Sequence, residues 1–292
     1  MQPQNPLEMN NLKDRLVLVE EIYQKALAQH PEFKQIKKEE LCSVIGSALD
    51  EVKKLENAAN LQSAAASISR ELAKNIVAVW DFSGPGVYDG PDRDDDRYKD
   101  ISWARGMEHA RLSYTAFLVR KITEILNGEV DIRGPISNVE ERKQDIKKLI
   151  SDSGPMVIYN GTLKENQRVE DVLERKGIII PKEKMLVINN AHTNNTNDQI
   201  KTMLWPKELH QSGKEVVLVS SAPHLMRIAH VLQQYKTIPQ DMSIRLFPVA
   251  TPKEGKDEYA AMEILGLLYY SYLAKEKSAA VEAYPYKING ED

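Results

Sequence analysis

Five short apolar runs, separated by helical patterns, constrain the fold of this 292-residue chain more than any other feature. They cover residues 76–80, 156–159, 185–188, 216–219 and 244–249. Short apolar runs that stop at Gly, Asn or Ser are typical of buried strands. Strands that alternate with helices predict βαβ units. We therefore expect an α/β fold of three layers, in which a mostly parallel, five-stranded sheet is covered by helices on both faces.

The segments between these runs carry apolar residues at three- and four-residue spacing, which predicts amphipathic helices. The predicted helices cover residues 103–125, 165–176, 197–211, 224–235 and 257–274. Gly177 is the predicted C-cap of the second of these helices. The charged segment 127–153 is expected to be a surface excursion or a short helix. The tail from Ala279 is expected to be loose, or docked by Tyr284 and Tyr286.

The first 75 residues have a different pattern, with three apolar stripes at helical period and no strand signal. The stripes are Leu12, Leu16, Val19 and Tyr23; then Leu41, Ile45, Leu49, Val52 and Leu55; then Leu61, Ala65, Ile68 and Leu72. No flexible linker follows them. We therefore predict a helical N-terminal region, residues 1–75, that packs on an α/β domain formed by residues 76–292.

Composition restricts the classes of partner and the compartment. The formal net charge is −4, so the global basic field of a general nucleic-acid binder is missing. The single cysteine, Cys42, can form no intrachain disulfide, which fits a reducing compartment. The N-terminus lacks the pattern of a signal peptide, and no apolar run reaches the length of a membrane span. We expect a soluble, cytoplasmic protein whose partner is a small molecule and neither a nucleic acid nor a membrane.

Small, hydrogen-bonding or cationic residues follow four of the predicted strands. They are Ser83, Gly84 and Gly86; Asn160 and Gly161; Asn195 and Thr196; and Ser220, His224 and Arg227. In an open parallel sheet, ligands bind beyond the carboxyl ends of the strands. Glycines let the backbone approach a ligand, and helix N-termini offer N–H groups to an anion. These loops therefore predict a site for phosphate or ribose.

His224 and Arg227 are three residues apart and share one face of a helix. Arg227 suits a contact with phosphate or carboxylate, and His224 is the candidate for acid–base catalysis. Each signal has a structural alternative. His224 and Arg227 could be a helix-start histidine and a surface ion-pair arginine, 193–197 could be a helix cap, and 83–86 could be a plain turn.

We expect no bound metal. The acidic loop 89–96 is interleaved with arginines and lacks the glycine and terminal glutamate of an EF-hand. The histidines have no zinc-binding spacing. A metal-assisted hydrolase that uses this loop remains an alternative hypothesis.

Two motifs resemble those of the YdcF/SanA/ElyC family. Residues 193–199 read Thr-Asn-Asn-Thr-Asn-Asp-Gln, and residues 219–227 read Val-Ser-Ser-Ala-Pro-His-Leu-Met-Arg. The family carries Ser-x-Asn-Thr-x-acidic-Asn, then a strand that ends in Val-Thr-Ser-x-x-His-x-x-Arg. The resemblance covers about residues 76–274 and departs from the family at Thr193, Gln199 and Asn160.

The resemblance implies a Rossmann-like fold and an arginine on the helix after the first strand, which matches Arg111 best, with Arg105 as the alternative. SanA- and ElyC-like members carry membrane segments, so this chain is closest to the soluble YdcF type. S-adenosylmethionine binding and cell-envelope roles are associated with some members. The resemblance implies little about the reaction, and the cofactor stays unknown, with S-adenosylmethionine and a nucleotide as the candidates.

Together these patterns predict a protein that binds a nucleotide-like or phosphorylated small molecule at the carboxyl edge of the sheet. A reaction at this edge would be group transfer or phosphate-ester hydrolysis. The alternative is a non-enzymatic interaction protein that works through the N-terminal helices.

Overall fold

The computed structural model describes residues 12–60, 68–82, 107–128, 139–190, 192–193, 195–203, 205–252, 255–288 and 291. Its strands are β1 Ile76–Asp81, β2 Met156–Tyr159, β3 Met185–Val187, β4 Lys214–Ser221, β5 Met242–Val249 and β6 Tyr286–Ile288. They form one sheet in the order β3-β2-β1-β4-β5-β6, and every neighbouring pair is parallel. The predicted α/β fold with a parallel sheet is confirmed.

Nine α-helices are described. They are α1 Leu12–Gln29, α2 Lys38–Asn60, α3 Arg70–Asn75, α4 Met107–Leu126, α5 Val139–Ser153, α6 Leu163–Lys176, α7 Thr196–Lys201, α8 Ala222–Tyr235 and α9 Lys256–Leu268. A π-helical segment, Tyr269–Leu273, continues α9, and short 3-10 helices lie at Pro31–Gln35, Lys182–Lys184 and Lys207–Leu209. Within the described part of the chain, no helix has both the length and the apolar character that crossing a bilayer requires.

The sheet is buried on both faces because alternate residues of a strand point to opposite sides. In β4, Val216 and Leu218 belong to one apolar cluster, and Val217 and Val219 belong to another. Helices α1, α2, α8 and α9 complete the first cluster, and α3, α4 and α5 complete the second. The sheet therefore lies between two helical layers.

The N-terminal helices contribute to this core directly. Leu41, Ile45, Val52 and Leu55 of α2 are fully buried in the same cluster as Trp80 of β1. Packing of such an apolar face stabilises a helix more than its intrinsic helix propensity does. Removal of residues 1–75 would therefore expose the core of the α/β domain.

Local capping explains where α6 begins and ends. The side chain of Thr162 accepts a hydrogen bond from the backbone N–H of Glu165, whose carboxylate accepts one from the backbone N–H of Thr162. This reciprocal capping box satisfies two N–H groups of the first turn. The helix ends at Gly177, whose φ of 64° is left-handed, so the predicted C-cap is confirmed.

The prediction of five strands was wrong, because the tail supplies a sixth, β6, which pairs with β5. Three residues are too few to show a periodic pattern, and β6 is held by a distant side chain. The guanidinium of Arg245 donates from Nη1 to the carbonyl of Ile288 at 3.2 Å. The tail is therefore an edge of the sheet and not a loose end.

Two predicted helices also differ in extent. The helix expected up to about residue 211 ends at Lys201, and Pro206 lies between it and the next 3-10 turn. Proline lacks the N–H that a continuing helix needs. The segment 127–153 holds α5, which is 15 residues long and begins at Val139.

Candidate functional site

The strand order reverses between β1 and β4, and polar side chains are buried at the carboxyl ends of the strands near this point. The chain runs outward from β1 through β2 to β3, and from β4 through β5 to β6. Such a switch point opens a crevice at the carboxyl edge. The fully buried polar side chains at this edge are Asp81, Arg111, Asn160, Ser220, Ser221 and His224, each with a relative exposure of 0%.

His224 lies at the start of α8, directly above the end of β4. Its Nε2 is 2.9 Å from the hydroxyl of Thr196, and its Nδ1 is 3.1 Å from the hydroxyl of Ser220. Phe82 packs edge-on against the ring, with centroids 5.7 Å apart. The imidazole is therefore fixed by two hydroxyl groups and an aromatic wall.

One proton arrangement satisfies every group in this chain of hydrogen bonds. Arg227 donates from Nη2 to the Thr196 oxygen at 3.2 Å, because a guanidinium can only donate. The Thr196 hydroxyl then donates to Nε2 of His224, and Nδ1–H donates to Ser220. The Ser220 hydroxyl in turn lies 3.5 Å from the carbonyl oxygen of Phe82. In this arrangement His224 is neutral.

Electrostatics favour the same charge state. Burial lowers the pKa of His224 well below its ordinary value of 6.5, and the positive charges of Arg227 and Arg111 lower it further. The ring is therefore neutral near pH 7. An acid–base role, as expected from the sequence, requires a substrate to replace one of the two hydroxyl partners.

Arg227 forms an ion pair, as in the alternative interpretation of a surface ion-pair arginine, but the pair is buried and does not lie on the surface. Its Nε donates to the carboxylate of Glu263 on α9 at 2.5 Å, and the two side chains are only 13% and 2% exposed. A methyl group at Gly266 would lie 3.3 Å from Cδ of Arg227. The guanidinium is therefore held from two sides, by α9 and by Thr196 of α7.

Asn160, at the end of β2, is joined to α7 by a reciprocal pair of hydrogen bonds. Its Nδ2 donates to the backbone oxygen of Gln199 at 2.7 Å, and Nε2 of Gln199 donates to the backbone oxygen of Asn160 at 2.7 Å. Helix α7 thus connects the end of β2 with the start of α8.

Gly161 and Asn195 have local structural roles. The N–H of Gly161 donates to the side chain of Asn166, and a Cβ at Gly161 would lie only 2.8 Å from Cβ of Glu165. Asn195 is the N-cap of α7, and its side chain accepts from the N–H groups of Asn197 and Asp198 at 2.9 and 3.1 Å. The cap interpretation of this segment therefore holds for Asn195.

The structure thus brings Thr196, Ser220, His224 and Arg227 into one hydrogen-bonded cluster. The positive charge of Arg111 contributes to the lowered pKa of His224. Several predicted residues lie outside the described part of the chain. They are Ser83, Gly84, Gly86, the alternative Arg105 and the acidic loop 89–96.

Three further residues of this edge were not predicted from the sequence, namely Asp81, Glu263 and Tyr259. Tyr259 lies with its hydroxyl 2.9 Å from that of Ser221. Glu263 had a readable signal, because it interrupts the apolar stripe of α9 between Ala260 and Leu267. An acidic residue on a buried face requires a partner, and here that partner is Arg227.

Two grooves occur at the opposite, amino edge of the sheet, and each has a volume of about 550–590 Å³. One lies beside Trp205 and Asp241, and the other lies between Lys74 and Pro155. Both lie away from the buried polar cluster around His224, so we locate the candidate site by its chemistry and not by groove size. No group of three metal-ligating side chains occurs among the described residues.

Comparisons with protein families, with curated proteins and with solved structures find no match for this chain. The resemblance to the YdcF/SanA/ElyC family therefore rests on the two motifs alone and stays a prediction.

Proposed function

We propose that the chain binds a phosphate-bearing, nucleotide-like small molecule at the carboxyl edge of the sheet, between β1 and β4. The observation that carries the proposal is the fully buried polar cluster around His224, flanked by two arginines. Burial of polar and charged groups is costly, and proteins concentrate such groups where they bind or react.

The charge of the cluster supports an anionic ligand. Arg227 and Arg111 are close enough to His224 for their positive charges to add to the effect of burial in lowering its pKa. Arginine is well suited to phosphate because its planar guanidinium can donate two parallel hydrogen bonds. The neutral imidazole adds no charge of its own and serves as a hydrogen-bonding partner.

The strand order supports the nucleotide-like part of the proposal. The order 3-2-1-4-5-6 is that of doubly wound, dinucleotide-binding sheets, whose ligands bind at the switch point. We therefore interpret the fold as Rossmann-like, in agreement with the family resemblance. A nucleotide and S-adenosylmethionine are the two ligand types that this interpretation favours.

A reaction at this site would be group transfer or phosphate-ester hydrolysis. In either case a substrate hydroxyl or a water molecule would replace Thr196 at Nε2 of His224. The lowered pKa makes His224 a weak base, so its proton transfer would depend on the substrate's own acidity.

The test is a thermal-shift screen of the whole chain against inorganic phosphate, nucleotides, sugar nucleotides and S-adenosylmethionine, with and without Mg²⁺. A ligand at 100 times its Kd stabilises a protein by about 2.7 kcal/mol. Loss of Arg227 alone would leave Glu263 as a buried unpaired charge and could unfold the protein. The site variant is therefore the double substitution Arg227→Met with Glu263→Gln.

The chain offers a matched control, because Arg245 and Glu215 form a second buried pair at 2.6 Å, near the amino end of the sheet. We expect any ligand to bind the site variant at least about tenfold more weakly than the wild-type chain, which is a loss of about 1.4 kcal/mol in binding free energy. The control, Arg245→Met with Glu215→Gln, should bind the ligand as the wild-type chain does. Equal binding to both double variants, or no stabilisation by any compound, contradicts the proposal.

A further inference from the structure

Asn160 holds a buried hydrogen-bond acceptor that no described residue satisfies. Its Oδ1 exposes less than 1 Å² and has no hydrogen-bond partner among the described residues. The orientation of the amide is fixed by the network, because Nδ2 must be the atom that donates to the Gln199 carbonyl. Oδ1 is therefore the end of the side chain that accepts from no described residue.

Bulk water cannot compensate for this acceptor, and a buried acceptor without a donor is unfavourable. Such groups are few in folded proteins, and each calls for an explanation such as a bound water or a ligand. The surrounding bonds hold Asn160 in place, since Gln199 also donates to its backbone oxygen at 2.7 Å. The acceptor is thus positioned before any ligand arrives.

Helix α7 links this acceptor to the charged cluster. Gln199, which fixes Asn160, lies one turn beyond Thr196, which contacts both His224 and Arg227. Asn197 on the same helix has a second buried side-chain oxygen without a partner among the described residues. This edge therefore combines cationic donors with neutral acceptors that no described residue satisfies.

We propose that Asn160 is a specificity-determining residue that accepts a hydrogen bond from a hydroxyl or amino group of the ligand. This inference rests on the proposed function, in which the arginines hold the phosphate. It narrows the ligand to a phosphate ester that carries hydrogen-bond donors, such as a sugar phosphate or nucleoside phosphate. A simple phosphate or alkyl phosphate leaves Oδ1 of Asn160 unsatisfied.

The test compares two probes by titration calorimetry. Methyl phosphate supplies the anion without hydroxyl groups, and ribose 5-phosphate supplies the anion with them. We expect the wild-type chain to prefer ribose 5-phosphate by about tenfold, which corresponds to about 1.4 kcal/mol. Asn160→Leu should reduce this preference to less than about twofold while methyl phosphate binds as before, since Leu has a similar volume and no acceptor.

Gln199→Leu is the matched control, because it removes one bond of the reciprocal pair but keeps Oδ1 of Asn160. It should retain the preference for ribose 5-phosphate. Binding of methyl phosphate by Asn160→Leu shows that the variant is folded at the site. If that variant does not fold, the wild-type chain still tests the inference, because equal affinities for methyl phosphate and ribose 5-phosphate overturn it.

The outcomes separate the two proposals. If neither probe binds the wild-type chain, the proposed function fails and this inference fails with it. If both probes bind with equal affinity, the anion site stands, a buried water satisfies Asn160, and the inference is overturned. A preference that survives Asn160→Leu also overturns it.

Discussion

The hydroxyl of Thr196 lies 2.9 Å from Nε2 of His224, and the same oxygen accepts a hydrogen bond from Arg227. These contacts join the segment after β3 to the helix after β4. Because Arg227 also pairs with Glu263, the contact between Thr196 and Arg227 links α7 to α8 and, through Arg227, to α9. The candidate site is thus part of the structural framework at this edge of the sheet.

Replacement of this hydroxyl should therefore destabilise the fold. Thr196→Val keeps the shape of the side chain but leaves Nε2 of His224 without its partner. We expect the free energy of unfolding, measured by urea denaturation, to fall by about 1–3 kcal/mol. Thr202→Val is the control, since Thr202 is half-buried and lies outside the cluster. If Thr202→Val lowers the free energy of unfolding more than Thr196→Val does, the hydrogen bonds of Thr196 do not stabilise this edge as described.

The charge state of His224 predicts a pH dependence of stability. Its pKa is depressed in the folded state, so the unfolded chain binds the extra proton as the pH falls below about 6.5. The stability contribution of the neutral ring is present above that pH and is lost below it. The slope for one proton is at most about 1.4 kcal/mol per pH unit.

The measurement is urea denaturation of the wild-type chain and of His224→Gln at several pH values between about 5 and 8. The difference in unfolding free energy between the two proteins should be constant above about pH 6.5. It should change at lower pH, where the wild-type chain loses more stability. A difference that stays constant throughout would show that the ring is already charged or exposed in the folded state.

The helices and strands with a clear local pattern could be predicted from the sequence, and the elements that depend on distant partners could not. β1, β2, β3, β4, β5 and the cap at Gly177 follow from local patterns. β6 does not, because its three residues are held by Arg245 from another strand. The same distinction applies within the site.

His224 and Arg227 could be predicted because they follow a strand and share a helical face. Their partners could not be paired from the sequence, since Glu263 is 36 residues away from Arg227. The local roles of Asn195 and Gly161 also show a limit of the sequence argument. Capping and ligand binding use the same small polar residues, and only their contacts in the folded structure separate the two roles.

A buried ion pair holds the N-terminal region to the carboxyl edge of the sheet. Lys256 of α9 lies 3.2 Å from Glu56 of α2, and their side chains are 11% and 2% exposed. Glu56→Gln leaves the ammonium group without its counter-charge, and we expect a loss of roughly 3 kcal/mol in urea denaturation. Asp50→Asn is the control, because its pair with Arg15 is far more exposed and should cost less than about 1 kcal/mol. Equal losses would mean that Lys256 is solvated.

Two neighbouring residues of β6 should differ in their contribution to stability. Ile288 is 3% exposed, whereas Lys287 points to solvent. Ile288→Ala should lower the free energy of unfolding by about 2–4 kcal/mol, and Lys287→Ala should change it by less than about 0.5 kcal/mol. If the two substitutions have the same small effect, the tail does not form β6 in solution.

The central claim is that an anion binds beside His224, and nitrogen-15 NMR of the histidine rings tests it most directly. The chain provides an internal control, because His230 is also buried but lies with Nδ1 2.9 Å from the carbonyl of Ala280, away from the cluster. The spectra are recorded during addition of inorganic phosphate and of adenosine monophosphate. The account predicts that the ring signals of His224 move with saturable binding while those of His230 stay in place. Unmoved signals of His224 in both titrations, or movement confined to His230, would contradict it.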